Sequence, residues 1–117
     1  MALYTELPVF KKTYTLLLEL LNTCGGLQKA VKYTLGERVQ KEAIEVVINI
    51  YKSNSVVDKT AYLAVAREHL ETLRLLIRVL HDTKNISPRR LLYLNTFVED
   101  ISKQLTGWQK HNNAPRN

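Results

Sequence analysis

Only one cysteine, Cys24, occurs among the 117 residues, so no disulfide can form within the chain, and a reducing compartment is the natural expectation. Four glycines and three prolines supply little of the turn chemistry that a sheet-rich fold consumes. No apolar run approaches the ~20 residues needed to span a bilayer. The first twenty residues, MALYTELPVFKKTYTLLLEL, lack the basic start, apolar run and small-residue cleavage site of a secretory signal. These absences predict a cytoplasmic protein with no membrane partner.

Catalytic and metal-binding patterns are also missing. None of the eight glutamates is followed by His three residues later, the pairing that a carboxylate di-metal bundle needs. There is no H-E-x-x-H, no C-x-x-C and no glycine-rich loop ending in Lys-Ser or Lys-Thr. His69 and His81 are twelve residues apart on one predicted helix, too far along its axis to share a metal. His69 borders an apolar seam, where a hydrogen-bonded structural role is expected. Cys24 has no basic or His neighbour in sequence to lower its pKa. The expectation is a protein that is not an enzyme, with no catalytic residues, no metal and no cofactor.

What the chain does have is helical periodicity. Hydrophobic residues at 45% and charged residues at 24% are globular values, and the length suits one domain spanning 1–117. A first helix starts near Pro8, a residue tolerated in an opening turn, with Phe10, Tyr14, Leu17, Leu18 and Leu21 expected inward. NTCGG ends it, with Gly25 or Gly26 able to take the positive φ of a helix terminus. The second helix begins near Leu27 or near Thr34, with Leu35, Val39, Ala43, Val46 and Ile50 inward and Arg38, Lys41, Glu45, Asn49 and Lys52 opposite.

KSNSVVDK breaks this pattern. A third helix follows over about 58–83, ending at HDTKN. In ISPRR, Ser87 is a suitable N-cap and Pro88 a suitable first helical residue. Leu91, Leu94, Val98, Ile101, Leu105 and Trp108 then form a heptad seam. That seam favours near-parallel packing, so the predicted fold is an all-α, up-down-up-down four-helix bundle, with residues 111–117 frayed.

Seventeen Lys plus Arg against eleven Asp plus Glu leave a net charge of +6, a balance that favours anionic partners. Its arrangement is sharper than its size. On the third helix, Leu70, Leu73, Ile77 and Leu80 repeat at helical spacing, and Arg67, Arg74, Arg78 and His81 run beside them. At 100° per residue these four lie within about 60° of one another, roughly a quarter turn from the seam. Glu71 is within reach of Arg67 and Arg74, yet one carboxylate cannot satisfy three guanidiniums.

Lys29, Lys32, Arg38 and Lys41 surround the start of the second helix with only Glu37 among them. Arg89 and Arg90 open the fourth, against its dipole. The candidate site for nucleic acid or a protein partner is therefore Lys32, Arg38, Lys41, Arg67, Arg74, Arg78, Arg89 and Arg90. Tyr33 and Tyr93 stand close enough to these cations to stack on unpaired bases, although aromatics at helical spacing more often serve packing.

YTLGERV (Tyr33 to Val39), LETLRLLIRVLHD (Leu70 to Asp82), IS before the last helix and LTGWQK (Leu105 to Lys110) together resemble the accessory variability determinant proteins of diversity-generating retroelements. These are four-helix bundle relatives of the ribosomal-RNA intervening-sequence proteins. The resemblance covers about residues 8–110 and rests on the order and spacing of the motifs. It implies a basic bundle assembled as a homopentamer, without catalytic activity, that binds the element's reverse transcriptase and RNA or DNA with low sequence specificity and supports mutagenic retrohoming. Arg38, Arg74 and Arg78 carry over as contacts, and Tyr33, Leu35, Gly36, Gly107 and Trp108 as structure. KAVKY stands where intervening-sequence proteins typically have Phe-Pro, which favours the retroelement branch. An intervening-sequence-type bundle on structured RNA, or a plain oligomeric interaction module, remains as the alternative.

Overall fold

The computed structural model describes residues 3–113. After a short 3-10 turn, Tyr4–Glu6, helix α1 spans Pro8–Gly25. A helical turn, Lys29–Val31, and a π-helical segment, Lys32–Gly36, lead without a break into α2, Glu37–Asn54. Helix α3 spans Thr60–Asp82 and α4 spans Pro88–Asn113. Each helix packs on two others, in the cycle α1, α2, α3, α4 and back to α1, with α2 against α3 the most extensive pairing. The result is the predicted all-α four-helix bundle, 54 Å long and about 20 Å across.

The core is set by apolar side chains at helical spacing, each worth ~1.5 to 3 kcal/mol when fully buried. Helix α4 contributes its heptad seam as expected: Leu94, Val98, Ile101 and Leu105 are fully buried, with Leu91 and Trp108 half-buried at its ends. Leu63, Ala66, Leu70, Leu73, Ile77 and Leu80 of α3 face them. Ser87 caps α4 by accepting the Arg90 N–H at 3.0 Å through its hydroxyl, which satisfies one of the donors that every helix start leaves open.

Helix α1 is rotated from the expected phase. Its buried residues are Val9, Thr13, Leu16, Leu20 and Cys24, while Tyr14, Leu18 and Leu21 are exposed. Two overlapping apolar rows run along this helix, and Thr13 can join the inner one because its hydroxyl donates to the Val9 carbonyl at 2.7 Å, so no unmet polar group is buried. Asn49, expected outward on α2, is buried for a similar reason: its amide donates to the Glu45 carbonyl at 2.8 Å. Neither Gly25 nor Gly26 adopts a positive φ, and α1 closes through N–H groups of Gly26 and Leu27 on the Thr23 and Cys24 carbonyls.

The second helical stretch starts at Lys29, close to the earlier of its two expected starts. Gly36 sits where this stretch crosses the end of α1: a β-carbon there would lie 3.4 Å from both Leu27 Cδ1 and the Val31 carbonyl oxygen. At the far end, α4 continues through Asn113, where residues from 111 were expected to fray. Asn112 ties this last turn down, accepting the Lys59 N–H at 3.3 Å and donating to Thr60 Oγ1 at 3.2 Å. Positions 114–117 of the expected frayed tail lie outside the described residues.

Candidate nucleic-acid and partner interface

The basic row on α3 divides into three environments. Arg67 is half-buried against α4, donating to Gln109 Oε1 at 3.0 Å, Thr106 Oγ1 at 2.6 Å and the Ser102 carbonyl at 3.4 Å. Arg74 is claimed by two acids, Glu71 on its own helix and Glu99 on α4. Arg78 has a 73% exposed side chain and touches Asp82 only through Nε, at 3.4 Å, which leaves its two terminal amino groups open to solvent. His81 shares the same carboxylate, with Nδ1 at 2.9 Å from Asp82 Oδ1. Hydrogen bonding from His81, followed by that from Arg78, keeps Asp82 below its ordinary range. The expected stripe is thus one open guanidinium, one paired and one half-buried against α4.

The remaining candidates collect at one end of the bundle. Arg90, at the start of α4, reaches the last turns of α1, donating to Thr23 Oγ1 at 2.9 Å and to the Glu19 carboxylate at 2.8 Å, and lies over the Tyr93 ring. This bridge puts the α1–α2 and α3–α4 connections at the same end. Segments 26–38 and 78–90 together bring Lys29, Lys32, Arg38, Arg78, Lys84, Arg89 and Arg90 there, against only Glu37 and Asp82.

Among these cations and Lys41, a turn further down α2, the side chains of Lys29, Lys41, Lys84 and Arg89 are exposed and have no acidic partner among the described residues. Lys32 lies over the exposed ring of Tyr33, 5.8 Å from its centroid, and Arg38 pairs with Glu42 at 2.8 Å. Arg38, Arg74 and Arg90 therefore perform structural work. Glu99 and Glu19 lie on other helices and meet Arg74 and Arg90 only after the helices pack, whereas Glu42 stands four residues after Arg38 on the same helix.

In the sequence Lys84 stands out only as part of the helix end HDTKN. It closes α3 with φ 64°, the left-handed backbone that glycine takes most readily. The Lys84 N–H bonds to the His81 carbonyl at 2.9 Å, and the Asn85 N–H to that of Leu80 at 2.8 Å. A lysine there carries a local cost of order 1 kcal/mol and adds a cation to the basic end. HDTKN has the composition of a terminus, but its backbone hand is set by the turn onto α4.

One buried polar cluster joins α2 to α3. Glu42, 5% exposed, receives Arg38 on Oε1 and lies 2.5 Å from His69 Nδ1 through Oε2. Burial pushes the Glu42 carboxyl up, but hydrogen bonds from His69 and Arg38, reinforced by their charges, leave it below the ordinary range. His69 thus has the hydrogen-bonded structural position expected of it. Burial raises the Cys24 thiol, opposed in part by a hydrogen bond from Gln40.

Such an arrangement can hold anions through solvated point charges at the basic end, and through a guanidinium fork at Arg78. Among the described residues no helix is long and apolar enough to cross a membrane, and no group of three or more His, Cys, Asp or Glu side chains is placed to hold a metal ion. No known family model and no curated protein matches the chain.

Proposed function

We propose that this protein is a non-catalytic accessory factor of a diversity-generating retroelement, a cytoplasmic protein that binds the element's reverse transcriptase and nucleic acid and supports mutagenic retrohoming without a cofactor. The observation that carries this reading is the basic end of the bundle, where Lys29, Lys84 and Arg89 are exposed and have no acidic partner among the described residues, so that a polyanion would find charge there that these residues do not neutralise. Phosphate contacts of this kind confer affinity by releasing counterions and read little sequence.

The motif resemblance supplies the remainder: a reverse transcriptase as protein partner and a homopentamer as assembly. Exposed apolar side chains support self-association. Tyr14, Leu18 and Leu21 on α1 and Ile44 and Tyr51 on α2 are all more than 40% exposed, and apolar surface grouped in this way commonly marks an interface. A ring of copies would repeat the basic end several times and raise avidity for one extended strand without any new contact.

The test is a binding assay on purified protein with single-stranded and duplex oligonucleotides and with the reverse transcriptase encoded beside its gene. Binding to both classes, with the nucleic-acid affinity falling steeply between about 50 and 200 mM salt, is the expected result. Nucleic-acid binding without polymerase binding would favour the intervening-sequence type of bundle. Absence of both at physiological salt would leave a plain interaction module.

A further inference from the structure

We infer that the cleft between α3 and α4 is a docking seat for a segment of a partner protein that carries a carboxylate beside a leucine-sized apolar side chain. The inference relies on the proposed function only for the identity of that partner, the polymerase. It divides the basic residues between two ligands: the bundle end for nucleic acid and this cleft for protein.

The cleft encloses ≈ 450 Å³, within the usual size range of ligand clefts. Leu75, 62% exposed, and the half-buried Leu91 provide its apolar surface. Single exposed leucines are ordinary, but here two from different helices line one concavity. Above them stands Arg78, whose one ion pair among the described residues is the long one from Nε to Asp82, so a guanidinium fork is open to an incoming carboxylate. Inside, Asn95 Oδ1 is buried with no hydrogen-bond partner. An acceptor left in that state costs ~1 to 3 kcal/mol, and a turn of the Asn95 side chain toward the cleft would let the backbone N–H of a bound peptide satisfy it.

Charge balance decides against nucleic acid as the occupant. Arg74 and Arg78 are already faced by Glu71, Asp82 and Glu99, so the cleft has no surplus positive charge, and counterion release by phosphates depends on such a surplus. One carboxylate can exchange onto the Arg78 fork, whereas a run of phosphates would meet three acids. The apolar floor likewise offers a phosphodiester backbone nothing.

The test selects a displayed library of short random peptides against the whole protein. It then measures the affinity of the enriched peptides, of the neighbouring reverse transcriptase and of a single-stranded oligonucleotide for Leu75→Asp, Arg78→Glu and Asn95→Leu. Circular dichroism and solution mass confirm that each variant keeps its helicity and subunit count. Enriched peptides should place Asp or Glu next to Leu, Ile or Phe, and all three variants should bind them at least about tenfold more weakly, with the oligonucleotide affinity of Leu75→Asp and Asn95→Leu changed less than about twofold.

Asn95→Leu removes an unmet acceptor and should melt no lower than the parent, so its loss of binding cannot be assigned to misfolding. Peptides without that signature, or indifferent to the variants, would overturn the inference. An equal loss of oligonucleotide binding in Leu75→Asp and Asn95→Leu would assign the cleft to nucleic acid, and a changed subunit count on Leu75→Asp would assign it to a second copy; either also overturns it. If the peptides behave as expected and the polymerase does not bind, the cleft stands and the polymerase reading falls.

Discussion

Arg67 and Arg89 are the same residue in sequence and opposite in situation. Arg67 makes three hydrogen bonds across to α4, whereas Arg89 is exposed and has no acidic partner among the described residues. Hydrogen bonds from a charged donor are worth ~1.5 to 3 kcal/mol, so Arg67→Ala should lower the unfolding free energy by about 1 to 3 kcal/mol, as read by urea denaturation. Arg89→Ala should stay within about 0.5 kcal/mol of the parent and weaken oligonucleotide binding. Helical spacing could place both residues on the correct faces, but it could not separate them. The partners of Arg67, at Thr106 and Gln109, lie about forty positions away and meet it only through the packing of α3 on α4.

Glu42 gives the residue scale a pH signature. Its carboxyl sits below the ordinary value of 4.5, so the stabilisation it brings is fully present above that pH and is lost as the pH falls through its lower native value. Unfolding free energy should therefore drop on acidification below about pH 4.5, and Glu42→Gln should flatten that part of the curve. An unchanged acid limb in the variant would place the loss elsewhere. The pair with His69 lies 27 positions apart and left no local pattern, although a lone histidine beside an apolar seam hinted at a structural partner.

At the scale of elements, three of the four helices follow from periodicity and termini: the inner row Val39, Ala43, Val46 and Ile50 of α2, the seam of α3, and the heptad of α4 with its Ser87-Pro88 start. Helix α1 does not, because its sequence carries two apolar rows and nothing local says which one is inner. The row left outside, Tyr14, Leu18 and Leu21, is the one that a search for large apolar side chains selects first. Two substitutions probe local backbone cost. Gly107 lies in α4 with open space where a β-carbon would stand, so Gly107→Ala should raise stability by about 0.5 to 1 kcal/mol. Lys84→Gly relieves a left-handed residue and should raise the melting temperature by a few degrees, ~1 kcal/mol, while reducing oligonucleotide affinity. A Lys84→Gly protein that melts lower would show that the lysine side chain contributes to the fold.

For the whole molecule, the excess of positive charge was legible from composition, and its distribution was not. The spacing predicts a stripe along α3 together with basic groups at the starts of the second and fourth helices, Lys29, Lys32, Arg38 and Lys41 and Arg89 and Arg90, but not that these groups meet at one end. Packing brings acids from α1 and α4 against Arg90 and Arg74, Glu42 on the same helix takes Arg38, and Lys29, Lys84 and Arg89 are left exposed around two connections at one end. The most direct test of this account is the salt dependence of single-stranded oligonucleotide binding, measured side by side for the parent and for Lys29→Glu/Lys84→Glu/Arg89→Glu. The parent's logarithmic affinity should fall linearly with the logarithm of salt over about 50 to 200 mM, and the triple variant should bind at least about tenfold more weakly with a shallower slope. Equal affinity and equal slope in the two proteins would contradict the account.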